Sequence, residues 1–399
     1  MFFANVALAR TQSKEEYGMF ALSYSVFIFL SSLHNSAILE PCTVYGSGRY
    51  RGRFSEYLRL MVRANAFVGL LLMALVLLVC LVLYRAAPRY VSPALLGLGV
   101  SVGFLLSGAF LRRMFYLQRQ PAFAAQASLI CFLTVAGGLW LAANTYLLNG
   151  FSVFVILALG WIAGGFGLRK KLALSGEGVS FLHSEPVYWR EHWKYSKWVF
   201  STAFVFQFTT QGYYWLVAGF LSVKQVAELR AMQIMIAPID QVFIALSFLA
   251  VPALAGRYAS QRQDFFPLLK RYGLAVVTAT TLFALAVRFV GSPVMHWLYA
   301  GKFDDLAPML YILAFLPLLM GIGNVMGNAL NAAEKPRLVF YAYLCSGTTT
   351  LLCGISLVIR FGLMGAVYGL LLSAGVYTAV QALSFFMVVY RKAVPLILS

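Results

Sequence analysis

ANAFVGLLLMALVLLVCLVLY, residues 64–84, carries no charged side chain over twenty-one positions. At ~1.5 Å of rise per residue, a helix of that length covers about 30 Å, the thickness of the hydrocarbon layer of a bilayer. Apolar runs of the same kind recur at 18–40, 92–110, 122–143, 148–168, 196–220, 229–255, 274–298, 306–330, 338–359 and 363–389, giving eleven complete spans. Of the 399 residues 61% are apolar and 11% charged, whereas the surface of a soluble globule needs about 25% charged residues. A soluble fold is excluded, and the connections leave no room for a large soluble domain.

Met1 to Leu8 looks like the tail of a twelfth span, too short to cross the bilayer by itself. With that stub taken as the first span, ending outside, the connections alternate. The inner connections 42–63, 111–121, 169–197, 256–272, 331–337 and 390–399 then hold 22 of the 31 Lys and Arg residues, and the outer ones hold eight. This bias orients the chain with its C-terminus in the cytoplasm. It also accounts for most of the net charge of +18, which in a soluble protein would suggest nucleic acid. The loop bearing Arg49, Arg51, Arg53, Arg59 and Arg63 keeps a second reading, recruitment of anionic partners.

The chain repeats itself. Pro41, Phe54, Leu58 and Arg59 are matched 211 positions later by Pro252, Phe265, Leu269 and Lys270, and Gly48-Arg49-Tyr50 by Gly256-Arg257-Tyr258 at 208. The offset covers six spans, an even number that preserves orientation. It predicts an all-α integral membrane fold of two six-helix lobes related as parallel repeats, about twelve transmembrane helices with the first truncated. The expected boundaries are 1–168 for the first lobe, 169–195 for a cytoplasmic linker and 196–399 for the second lobe. Residues 1–10 correspond to about 211–220, so a stretch of roughly fifteen to twenty residues is expected to precede Met1.

Charges inside spans cost roughly 2.5–3.5 kcal/mol each, which makes them functional candidates. Asp240 and Arg288 qualify, at matching depth on adjacent spans, where an ion pair is allowed; mutual neutralisation and a direct role in coupling or substrate binding both remain open. Polar residues at helical spacing add Gln207, Gln211 and Tyr214 on one face, Asn324, Asn328 and Asn331 on another, and Gln233 with Asp240 and Gln241 on a third. Tyr24, Ser31 and Asn35 lie on span two, with Glu40 at its inner end. Such faces either line a wet cavity or bond helix to helix. Gly160-xxx-Gly164, Gly323-xxx-Gly327 and Gly365-xxx-Gly369 suit close helix packing. Pro238, Pro293 and Pro317 fall inside spans and are expected to bend them.

Catalysis finds little support. His34, His183, His192 and His296 are scattered without metal spacing, and no GxSxG, HExxH, P-loop or GxGxxG stands in a suitable context. Cys42, Cys80, Cys131, Cys345 and Cys353 form no CxxC pair and read as small apolar side chains. Asp304-Asp305 is expected to cap the helix that follows it. Neither a cofactor nor a metal is expected.

The cadence Tyr299-Ala300-Gly301-Lys302-Phe303, Asn331-Ala332-Ala333-Glu334-Lys335-Pro336 and Gly362-Leu363-Met364-Gly365-Ala366, with Ala9-Arg10 and Tyr17-Gly18 at the start, resembles the polysaccharide flippases of the multidrug/oligosaccharidyl-lipid/polysaccharide exporter superfamily. The resemblance covers the chain in span order; the truncated first span departs from the pattern. It implies a non-enzymatic exporter of an undecaprenyl-diphosphate-linked oligosaccharide in the bacterial inner membrane, rocking between two lobes. It implies a proton or sodium gradient, or the substrate gradient alone, as the drive, and a glycan polymerase and glycosyltransferases as neighbours. Arg10 matches the family's basic position at the end of span one and, with Arg288, is expected to meet the diphosphate; Lys224 and Arg230 would receive or release it. A multidrug/cation antiporter of the same superfamily would depend on acidic side chains, of which the first lobe offers only Glu40. A membrane-embedded glycan polymerase or ligase would usually present a large outer loop, and the outer connections here reach about ten residues.

Overall fold

Proline and serine punctuate the helix starts. Ser13 caps Lys14–His34 (α2) in a capping box with Glu16, and Ser92 accepts from the Leu95 amide ahead of Pro93–Leu117 (α5). Pro121 and Pro336 open their helices at positions where an amide hydrogen is not needed. The computed structural model describes residues 1–47, 50, 54–86, 92–168, 185–260, 262–333 and 335–390. The basic residues Arg49, Arg51 and Arg53, Glu334, residues 169–184 of the expected linker 169–195 and the chain end 391–399 lie outside them.

The remaining helices are Phe2–Thr11 (α1), Glu40–Ser47 (α3), Phe54–Ala86 (α4), Pro121–Asn144 (α6), Gly150–Leu168 (α7), Glu185–Phe220 (α8), Val223–Ser260 (α9), Arg262–Tyr299 (α10), Ala307–Leu313 (α11), Leu316–Ala332 (α12), Pro336–Thr349 (α13) and Ile355–Phe385 (α14). Among the described residues eight segments are long and apolar enough to cross a membrane. One of them, Pro336–Val389, is 54 residues long and contains two helices, because Gly362 sits at φ 60°, ψ −136° and breaks the run. Such a backbone suits a residue without Cβ. The chain is a multi-pass membrane protein; α6 and α7 begin and end close to the predicted spans, whereas α4, α8 and α10 start well ahead of theirs.

Two compact units divide the described chain. One is built of 11–207, the other of 4–10 and 208–399. In the first, α5 is central: Leu98, Val102, Leu106, Phe110 and Met114, a helical stripe, are buried against α2, α4 and α7. On α4 the opposite pattern holds, and Leu70, Leu71 and Leu78 stand exposed where lipid would cover them. Gly164 of α7 lies where a Cβ would come within 2.6 Å of the Ala127 carbonyl of α6, so the glycine pair there does permit close packing.

Between α2 and α3 the helix widens into a π-helical turn, Asn35–Leu39, with the Glu40 amide reaching back to the Asn35 carbonyl. Pro41 explains it. Four residues after Ala37, Pro41 has no N–H to give the Ala37 carbonyl, and its ring would collide with that oxygen in a regular helix. The carbonyl accepts instead from His192 Nε2 at 2.7 Å and Ser196 Oγ at 3.1 Å, both on α8.

In the second unit α12 and α14 are central, flanked by α9, α10 and α13, and the short α1 packs here. Pro317 falls inside the span Asp304–Ala332, as expected, and the helix is interrupted just ahead of it at Ala314 and Phe315, so that Pro317 opens α12 in its first turn. One expectation is corrected. Asp304 does not cap the following helix, whose N-terminus has no side-chain cap, because its carboxylate is taken by His296 Nδ1 at 2.6 Å. In the first unit Tyr50 rests on Tyr57 with ring centroids 4.8 Å apart, and in the second Tyr258 meets Phe265 at 5.2 Å.

Candidate transport site

Arg230, in the second turn of α9, is fixed by neutral partners from two other helices. Its Nε–H donates to Asn5 Oδ1 of α1 at 3.0 Å and its Nη1–H to the Tyr214 hydroxyl of α8 at 3.1 Å. The Tyr214 hydroxyl in turn donates to Gln233 Oε1. Asn5 and Tyr214 are buried, while Arg230 is half-buried. At the next residue of α9, Tyr299 of α10 donates to the Ala231 carbonyl at 2.9 Å, tying α10 to α9. Lys302, after the left-handed pair Ala300 and Gly301, donates to the Arg10 carbonyl at 2.8 Å. Lys224 is exposed in the first turn of α9, and Arg10 is exposed at the end of α1. Arg10, Lys224, Arg230 and Lys302 thus gather at one end of the second unit.

Deeper in that unit the asparagine ridge divides. Asn324 accepts from the Tyr377 hydroxyl at 3.1 Å, with Tyr343 stacked on Tyr377. Asn328 donates to Ser247 Oγ at 3.0 Å and to the Tyr272 hydroxyl at 3.1 Å, joining α12 to α9 and α10. Asn331, at the end of α12, is exposed. The first two bond helix to helix, and only the third presents itself outward.

Asp240 and Arg288 are both exposed and do not pair. Arg288 lies over the Tyr311 ring, 4.8 Å from its centroid, a cation–π contact that the sequence did not suggest. Gln207 is buried on the first unit's side of α8, and Gln211, four residues on, has a buried amide oxygen without a donor.

The first unit holds polar contacts of its own. His34 Nε2 bonds Asn65 Oδ1 at 2.9 Å, and Asn65 donates to Ser107 at 3.0 Å, linking α2, α4 and α5. Asn35 donates to Glu40 and accepts from Arg113. Sequence reasoning named Asn35 and Glu40 but assigned Arg113 to a connection, because α5 runs to Leu117 rather than stopping at 110. It also missed Asn5 and Asn65, lone amides whose partners are remote in sequence. Among the described residues no group of three His, Cys, Asp or Glu could hold a metal ion.

This is the fold of the transporters of the MOP superfamily. The chain superposes on a lipid II flippase MurJ in an inward closed conformation with a TM-score of 0.72, at 14% identity over 96% of this chain and 84% of that one. An inward-facing multidrug resistance MATE family transporter gives 0.75 at 11% identity, over 97% and 93%. A MOP superfamily transporter from Pyrococcus furiosus, described as having a binding pocket of reverse polarity, gives 0.65 at 9%, over 97% and 91%. No protein-family model matches the sequence, and no curated protein matches it.

Proposed function

We propose that the protein translocates an undecaprenyl-diphosphate-linked oligosaccharide across the bacterial inner membrane by alternating access, in polysaccharide biosynthesis or export. The observation that carries this reading is the likeness of the whole chain to a lipid II flippase, a mover of a lipid-linked cargo. Arg10, Lys224, Arg230 and Lys302 at one end of the second unit suit an anionic headgroup, since a guanidinium can hold phosphate oxygens by two parallel bonds. The lobes would be 1–168 and 196–399, joined at 169–195, with the C-terminus in the cytoplasm and the bilayer taking the lipid tail. Asp240, Arg288, Gln207, Gln211, Asn324, Asn328 and Asn331 remain candidate contacts with cargo or coupling ion.

The basic cluster is also what separates this reading from a cation antiporter of the same fold. Deleting the gene should leave lipid-linked oligosaccharide accumulating on the cytoplasmic leaflet, detected by leaflet-selective glycan labelling. Normal surface glycan with no accumulation, or efflux of cationic dyes by the reconstituted protein, would overturn the proposal.

A further inference from the structure

Asn35, the first residue of the π turn, sits between two opposite charges. Its Nδ2–H donates to Glu40 Oε1 at 2.9 Å, and its Oδ1 accepts Nη2–H of Arg113 from α5 at 3.4 Å. The charges act on one another, yet Arg113 reaches Glu40 only through this amide. They also fix which way the amide points, because its oxygen must face the guanidinium and its nitrogen the carboxylate. All three side chains are half-buried, so an incoming group can reach them.

The two bonds are unequal. At 3.4 Å the Arg113 contact is beyond the usual range for an N–H···O bond, whereas a guanidinium meets a phosphate oxygen at ~2.7–2.9 Å and about twice as strongly. Arg113 is therefore held loosely by a neutral acceptor that a phosphate can replace. The carboxylate beyond the amide opposes that exchange, since it attracts the same guanidinium and repels an anion.

We infer that Arg113 is an anion-binding residue for the diphosphate of the cargo, and that Asn35 couples its release to protonation of Glu40. This rests on the transport reading above. A protonated Glu40 loses the charge that restrains Arg113, and its new O–H competes for the one amide oxygen of Asn35. When the amide turns to accept it, an N–H edge faces Arg113, which then takes a phosphate oxygen. The proton comes from solvent and stays on Glu40 until deprotonation restores the bridge; no covalent bond is made or broken elsewhere.

The other titratable or charged groups around this turn have contacts of their own, and Cys42 also feels the Arg113 charge. His34 of α2 holds Asn65, His192 of α8 holds the Ala37 carbonyl and Tyr57, and Arg112 of α5 lies against Trp161. Cys42 of α3 packs on Met114, and Arg59 and Arg63 of α4 have contacts of their own.

The test is a binding titration of the full chain in lipid nanodiscs with farnesyl diphosphate, and separately with inorganic pyrophosphate, between pH 8 and pH 5. Because the ligand itself titrates, the readout is the affinity of each variant relative to wild type at the same pH. Glu40→Gln should bind on the order of fivefold or more tighter than wild type at pH 8, with the ratio falling toward one at pH 5. Arg113→Gln should lose about tenfold at pH 5. Arg113→Lys, which keeps the charge without the fork, should bind more weakly than wild type while its own pH response remains. If farnesyl diphosphate follows this pattern and pyrophosphate does not, the site needs the lipid; if both follow it, the site reads the diphosphate alone. A Glu40→Gln ratio that is flat with pH, or Arg113→Gln binding like wild type, overturns the inference and leaves the transport reading standing. A wild-type protein that binds farnesyl diphosphate at no pH overturns both.

Discussion

Arg230 Nε and Asn5 Oδ1 meet at 3.0 Å across 225 positions of sequence, and Asn5 is wholly buried where they do so. Replacing Asn5 by Leu removes this acceptor while keeping the volume, which should cost about 1–3 kcal/mol. The check is thermal unfolding in detergent, run as a double-mutant cycle with Arg230→Ala. A coupling energy indistinguishable from zero would show that the contact contributes nothing.

Asn328 and Asn331 share a helical face but should behave oppositely. Asn328→Leu loses its bonds to Ser247 and Tyr272 and should destabilise the protein by about 1 kcal/mol, given ~0.6 kcal/mol per interhelical bond in membranes. Asn331→Leu, at an exposed position, should leave unfolding unchanged within about 0.5 kcal/mol and reduce transport if the cargo passes it. Paired melting and flux measurements separate the two.

Asp240→Asn and Arg288→Gln should be additive in stability within about 0.5 kcal/mol, because the two side chains do not pair. A double variant more stable than the sum of the singles would restore the ion pair that their matching depth suggested.

His192 gives the first unit a pH response. Its Nε2 faces the Ala37 carbonyl, which can only accept, so Nε2 carries the hydrogen and Nδ1 accepts from the Tyr57 hydroxyl at 3.1 Å. Burial, only partly offset by the Ala37 bond, holds this ring below the ordinary histidine range. A released His192 takes its proton near pH 6.5, and the docked ring takes it only at lower pH. The docked state is therefore most stable above about 6.5 and loses stability as pH falls toward the lowered value. Hydrogen exchange across 190–197 should lose protection between pH 7.5 and 5.5 in wild type but not in His192→Gln. Equal pH responses in the two proteins would rule His192 out.

How much of this was legible depended on distance along the chain. Spans such as 122–143 and 148–168 stand out because lipid imposes a continuous apolar run, and α6 and α7 follow them closely. Hydropathy places the starts of α4, α8 and α10 ten to twelve residues late, because these helices extend ahead of their apolar cores. Asn35 and Glu40 could be named because they fall within one helical run. Arg113 could not, since an arginine pair at a span end, Arg112-Arg113, looks like topological charge until α5 is seen to extend past it. Asn5 gave no signal, because its partners lie on helices that only the tertiary fold brings near.

The π turn at Asn35–Leu39 changes how the second span must be counted. Bonding from i to i+5 accommodates one residue more than a regular helix would over the same rise, so spacing rules that hold from Tyr24 to His34 do not carry through to Glu40. Loss of a single residue there would scarcely alter a hydropathy profile. It would nonetheless swing the carboxylate by roughly 100° around the axis, away from the amide it now touches. Insertions and deletions in this short stretch are therefore the changes to look for when related chains are compared.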